Sequence, residues 1–229
     1  MASRALRARL ADPATHRSWA LAANDGIIAT AGLLLGFMGA GASDRLLLFT
    51  AVAATIAGVC STAGAKWAEV AAEREAQILI VAREQADIAR DPDGEVRELT
   101  EYWQAKGLSP EVADAVAAQL HARDALGAQL EWEYGFDEPI PRSEPIWAGA
   151  IGGSAYAIGA LVPVLINYAA PVRIETWAIL AAMLVSFVVT STIAARVGQL
   201  RARSMLTRSV IVGACTLIGS FLEIGRAHV

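Results

Sequence analysis

Cysteine and histidine are both scarce in this chain, at two and three in 229 residues. Cys60 and Cys215 stand in separate apolar stretches without CxxC or metal-ligand spacing, which removes a thiolate metal site and leaves two small apolar packers. His16, His121 and His228 have no partner His or Cys at metal spacing and are read as solvated or capping side chains. The residue three before His121 is Ala118, so the Glu-x-x-His pairs of ferritin-like di-iron carboxylate proteins are missing. Oxidase chemistry therefore ranks low, and the chain is not read as an enzyme. No cleavable signal peptide is expected either, because the first apolar run starts late and no small-residue cleavage site precedes mature sequence.

What the chain does have is apolar length. With 55% hydrophobic residues and a mean hydropathy of +0.43, it is too apolar for an ordinary soluble domain. A membrane helix needs about 20 apolar residues, and five segments meet or approach that: Trp19–Ala42, Leu46–Lys66, Ile146–Tyr168, Ile174–Ala195 and the shorter Met205–Leu222. Arg4, Arg7, Arg9 and Arg17 precede the first, and Arg196, Arg201, Arg203 and Arg208 surround the last connection. The positive-inside rule places both groups, and with them the N-terminus, in the cytoplasm. Five spans then leave Trp67–Glu144 cytoplasmic as well, with Ser43–Arg45 and Asn167–Arg173 on the other side. Gly32 with Gly36, and Gly149 with Gly153, are GxxxG pairs suited to close helix packing.

The first span opens "NDGIIATAGLLLGFMGAGA" and so carries Asn24 and Asp25 inside an apolar run. An ionised side chain at the centre of a membrane helix costs roughly 2.5 to 3.5 kcal/mol on insertion scales, and such a residue is a functional candidate by default. The bland reading is that Asp25 caps a helix starting at Gly26.

Charge is concentrated in one place. Trp67–Glu144 holds 18 of the 23 acidic residues against 7 of the 19 basic ones, a net −11, which leaves +7 for the rest of the chain. A domain so acidic is repelled by an anionic leaflet, and divalent cations are its simplest partners. A solvated helical hairpin with an acidic surface stays open as the plainer reading. Ala68–Arg90 contains neither Gly nor Pro, so it continues the second span as one long helix carrying Glu69, Glu73, Glu84 and Asp87. Asp91-Pro92 breaks it. A second helix, about Pro92–Lys106, carries Glu95, Glu98 and Glu101 and ends at Gly107; Ser109-Pro110-Glu111 then starts a third that runs to about Tyr134. Glu84 with Asp87, and Glu95 with Glu98, are i, i+3 pairs that put two carboxylates on one face. Oxygen-rich clusters of this kind suit Mg, Mn or Fe(II) better than copper or structural zinc.

Asn24-Asp25-Gly26, the unbroken second helix, Arg83-Glu84-Gln85-Ala86-Asp87 and "GLSPEVADAVAAQLHARDALGAQLEWEYGF" from Gly107 together resemble the vacuolar iron transporter family, whose bacterial members are described as iron and manganese transporters. The resemblance covers nearly the whole chain. It implies five membrane helices, a homodimer with the ion path between subunits, a cytoplasmic three-helix metal-binding domain, and transported Fe2+ or Mn2+ with no resident cofactor. Asp25, with Asn24 beside it, matches the pathway position of the first helix. Glu84, Asp87, Glu95, Glu98 and Glu133 match acidic positions of the metal-binding domain, Asp87 standing in place of a Glu. There are departures. Ala54 and Thr62 stand where the family offers a glutamate and a methionine to the path, Ala65-Lys66-Trp67 replaces Gly-Glu-Tyr, and Gln129-Leu130 replaces a methionine pair. The loss of thioethers weakens a preference for Fe(II) over Mn(II).

The expected protein is thus all-α: residues 1–66 with two membrane helices, 67–144 as the cytoplasmic domain, and 145–222 with three more helices, the fifth truncated. Residues 223–229, "EIGRAHV", read as translated sequencing adapter. The expected function is export of Fe2+ or Mn2+ from the cytoplasm in exchange for protons, in metal homeostasis, with the lipid bilayer, the ions and a second copy as partners and no nucleic acid. The expected location is a bacterial inner membrane. The competing reading is a membrane-tethered metal sensor or buffer that does not transport.

Overall fold

The computed structural model describes residues 13–198 and, beyond them, only Thr207, Ile211 and Cys215. Apart from these three residues the expected fifth span lies outside the described residues, as do the arginines at 4, 7, 9, 201, 203 and 208 and the tail at 223–229. Within them the chain is helical, without strands: α1 (Pro13–Gly39), α2 (Asp44–Arg90), α3 (Pro92–Ala105), α4 (Pro110–Gln129) followed by a π-helical turn (Leu130–Tyr134), α5 (Glu144–Ala169) and α6 (Val172–Gly198). Three of these, α1, α2 and α5, contain stretches long and apolar enough to cross a membrane, and α6 contains a shorter apolar stretch at Thr176–Ser186. The chain divides into one unit of residues 1–67 and 146–229 and a second of 68–145.

In the first unit α1 is central. Ile28, Ala31 and Leu35 on one face pack with Ile179 and Met183 of α6. Leu34 on another face packs with Leu47 and Ala51 of α2, joined by Val164 of α5. Apolar side chains on more than one face are what a membrane bundle requires, since lipid and neighbouring helices are equally apolar and packing decides the fit. Glycines set how closely α5 approaches. A Cβ at Gly159 would overlap the Ala23 carbonyl oxygen of α1, and one at Gly26 would overlap the Tyr156 carbonyl oxygen and lie 2.9 Å from the Ala160 nitrogen. Gly149 and Gly153 meet Ala63 of α2 in the same way, so this GxxxG pair is a packing surface within the chain. Gly159→Ala is expected to destabilise the fold by about 1 to 3 kcal/mol, because backbone rather than a mobile side chain fills the space. Thermal unfolding of the purified protein in detergent measures it, and an unchanged midpoint would show that the helices separate at no cost.

The second unit follows the expected boundaries in part. Asp91 ends the long helix and caps α3, its Oδ1 accepting from the Gly94 N–H at 2.9 Å. Leu99 of α3 and Ala113 and Ala117 of α4 are buried, together with Leu130 of the π turn. Ser109 occupies the N-cap position of α4 but makes no side-chain capping bond. The third helical segment runs to Tyr134 as expected, but with a kink and a change of type: Asp124 is extended (φ −161°, ψ 88°), its Oδ1 accepts from the Gly127 N–H at 3.0 Å, and the last turn is π-helical. A carboxylate able to cap the backbone three residues on competes with the continuing helix. Gly135, at φ 76°, closes the segment.

Candidate functional site

Asp25 lies twelve residues into α1, which begins at Pro13, so it does not cap a helix starting at Gly26. Capping is thereby removed as its explanation. The two polar neighbours point differently. Asn24 is buried, and its Oδ1 accepts a 2.7 Å hydrogen bond from the Ser186 hydroxyl of α6. Asp25 is exposed on the surface of the single chain. Asn24 therefore ties α1 to α6, while Asp25 presents an oxygen pair to whatever lies outside this bundle. Around Asp25 the structure brings two residues that the sequence did not link to it. The Tyr156 ring of α5 lies over Gly58 of α2, and its backbone carbonyl faces Gly26. Lys66 of α2 packs its stem against Gly152, one turn of α5 before Tyr156. Ala54 and Thr62 are half-buried on α2 and add no charge.

The second site belongs to the other unit. Glu84 and Asp87 come from α2, Glu95 and Glu98 from α3, and Glu133 from the π turn. Glu84 is its centre. Its side chain is 4% exposed, and its Oε2 is buried with no hydrogen-bond partner. Burial, then the charges of Glu133, Glu95, Asp87 and Glu98, push its carboxyl up to about 7. Burial and the charges of Glu98, Asp87, Glu133 and Asp91 raise Glu95 in the same direction. The other four carboxylates singled out from the sequence thus act on the buried Glu84 carboxyl. An isolated carboxylate so placed is costly unless a proton or a cation neutralises it. Tyr134 borders the cluster; burial, a hydrogen bond with Glu133 and the charges of Glu133 and Glu84 push its hydroxyl up to about 12, so it remains a donor.

The carboxylates are near one another without being closed around a point. Among the described residues no three His, Cys, Asp or Glu side chains stand close enough to enclose an ion. Internal donors account for part of that spread. Arg90 pairs with Asp87. Gln129, which is buried, donates from Nε2 to the Glu95 Oε2 at 2.7 Å and to the Glu95 carbonyl at 2.8 Å, and its Oε1 accepts from the Trp132 indole. The residue standing where a thioether was expected therefore holds one of the carboxylates in place. Gln129 and Trp132 were absent from the sequence-based site, and their only signal was an amide at a position expected to be methionine.

The remaining candidates separate from both sites. Cys60 and Cys215 are exposed rather than packed within the chain. His121 is half-buried on α4 with an Nδ1 that has no hydrogen-bond partner, and it joins no other metal-ligating side chain. His228 lies outside the described residues.

With both sites in place, comparison with known proteins adds a family. A family model described as the VIT family matches residues 16–225. The chain is similar to a protein named vacuolar iron transporter from Acanthamoeba castellanii, 30% identical over 157 residues, which are 69% of this chain and 57% of that protein. It is also similar to vacuolar iron transporter 1 of Eucalyptus grandis, 28% identical over 144 residues, 62% of this chain and 57% of that one. The chain spans a little over half the length of these curated relatives.

Proposed function

Because this chain belongs to the VIT family, we propose that it is a metal-ion transporter rather than an enzyme, carrying Fe2+ or Mn2+ out of the cytoplasm across the membrane that holds it. The observation that carries the reading is Glu84, a buried carboxyl with an orphaned oxygen among four other carboxylates. In this mechanism the cluster of Glu84, Asp87, Glu95, Glu98 and Glu133 collects the ion on the cytoplasmic side. The cation supplies the charge that the cluster lacks, Glu84 gives up its proton, and Glu95 and Asp87 turn from Gln129 and Arg90 towards the metal. Asp25, exposed on the bundle and flanked by a polar neighbour held rigidly by Ser186, receives the ion at the membrane. Two copies of the chain place their Asp25 carboxylates on a shared path, since a lone carboxylate facing lipid is unfavourable. A carboxylate that titrates near neutral pH can trade metal for proton, which suits proton exchange as the driving force. The N-terminus is cytoplasmic and the membrane a bacterial inner membrane in this reading.

Hard oxygen donors without a thioether narrow the preference for Fe2+ over Mn2+, so both are candidate cargo. The second reading, a tethered metal sensor or buffer, is favoured by one observation: Ala54 and Thr62 offer the path no charged ligand. Uptake by proteoliposomes separates the two. With protein reconstituted at known orientation, Mn2+ and Fe2+ are expected to accumulate well above protein-free vesicles and to drive counter-movement of protons. Binding without accumulation would establish the sensor or buffer instead.

A further inference from the structure

Lys66 stands where the apolar part of α2 ends. Its aliphatic stem lies along α5 at Gly152, where a Cβ would sit 3.0 Å from Lys66 Cγ and 3.5 Å from its Cβ. The absence of a side chain at Gly152 makes the slot that the stem fills. Four residues further along α5, about 6 Å along its axis, Tyr156 meets Gly26, the residue next to Asp25. Lys66 and Asp25 therefore flank the same turn of α5, from two different helices. Lys66 is half-buried and keeps a polar interaction besides this one. A packed stem with a charged head is the arrangement in which lysine reaches from apolar surface towards water, carrying a compact point charge to a fixed place.

We propose that Lys66 is a fixed counter-charge to Asp25 that sets how strongly the membrane path holds a divalent cation. The proposal rests on the reading that Asp25 lies on the path. A carboxylate alone attracts a divalent ion with its full charge. An ammonium held on the same turn of α5 offsets part of that attraction. The ion must displace the influence of Lys66 before it can reside at Asp25, so binding is weaker and release easier than the carboxylate alone would give. Capture is thereby left to the acidic cluster, whose carboxylates belong to a different part of the chain.

Mn2+ uptake into proteoliposomes by the wild-type chain, Lys66→Met and Lys66→Arg tests this, together with thermal unfolding in detergent of these proteins, Asp25→Asn and the Asp25→Asn/Lys66→Met double variant. Methionine keeps the stem and removes the charge; arginine keeps the charge. Lys66→Met is expected to lower the half-saturating Mn2+ concentration about tenfold, while Lys66→Arg stays near wild type. It should also lower the unfolding midpoint more when Asp25 is present than when Asp25 is already Asn, because the other interaction of Lys66 is lost in both backgrounds and only the difference reports its effect on Asp25. An unchanged half-saturating concentration in Lys66→Met overturns the inference whatever the midpoints do. Uptake by none of the proteins would sink the transporter reading; the midpoints then decide Lys66 alone, with additivity overturning it and non-additivity sustaining it.

Discussion

Asp25→Asn abolishes metal uptake by proteoliposomes, to below roughly a hundredth of the wild-type rate, while folding and oligomeric state are retained. The substitution keeps size and one oxygen acceptor and removes only the charge. Since α1 runs through this position without a break, no helix cap is lost with it. Asn24, whose carbonyl oxygen anchors α1 to Ser186, is untouched. The cost falls on the ion. At an effective dielectric of about 20, a carboxylate 4 Å from a divalent cation contributes on the order of 8 kcal/mol of attraction before desolvation is subtracted. Ala54 and Thr62 supply no replacement. The check is initial uptake rate against protein-free vesicles, with size-exclusion chromatography to confirm the assembly. Wild-type rates in the variant would remove Asp25 from the path and leave the NDG stretch as a glycine-packed segment inside α1.

Replacing Glu84, Glu95 and Glu98 together by Gln removes three of the five cluster carboxylates, and Mn2+ binding to the full chain in detergent, followed by calorimetry, is expected to fall about a hundredfold or more. The same cluster fixes the pH dependence. Glu84 sits at about 7 instead of its ordinary 4.5, so metal must displace a proton from it below neutrality. Affinity should drop about fivefold from pH 7 to pH 6 in the wild type, and hardly at all where Glu84 is Gln. Stability moves the other way. A carboxyl raised in the folded state binds its proton more tightly there than in the unfolded chain, so its contribution is fully present below 4.5 and is lost as the pH rises through about 7. Without metal the domain is therefore expected to melt at lower temperature at pH 8 than at pH 6, and Mn2+ should restore it at pH 8 while doing little at pH 6. A triple variant that binds Mn2+ like the wild type would return the cluster to the standing of a solvated acidic face.

Much of this protein is decided by its sequence alone, because the deciding forces are local. Apolar runs of membrane length at 19–42, 46–66 and 146–168 specify helices wherever they are placed, and α1, α2 and α5 follow them. Pro92 and Pro110 start helices, Gly107 and Gly135 adopt positive φ to end them, and the gap-free stretch after Lys66 yields one helix from Asp44 to Arg90. Spacing of three residues pairs Glu84 with Asp87 and Glu95 with Glu98 in any helix. That the other pair, Asp87 and Glu133 all bear on the buried Glu84 is a different kind of fact. It depends on how α3 and the π turn come to rest beside α2, after a kink at Asp124 whose side chain accepts from the Gly127 N–H. The grip of Gln129 on Glu95, 34 residues away, and of Ser186 on Asn24, 162 residues away, follows from helix packing and has no local signature. Lys66 reads in sequence as a charge at the end of a span. Only the slot at Gly152 and the crossing of Gly26 by Tyr156 bring that charge to bear on Asp25, because close approach of helices is set by which small residues happen to face each other once the bundle has formed.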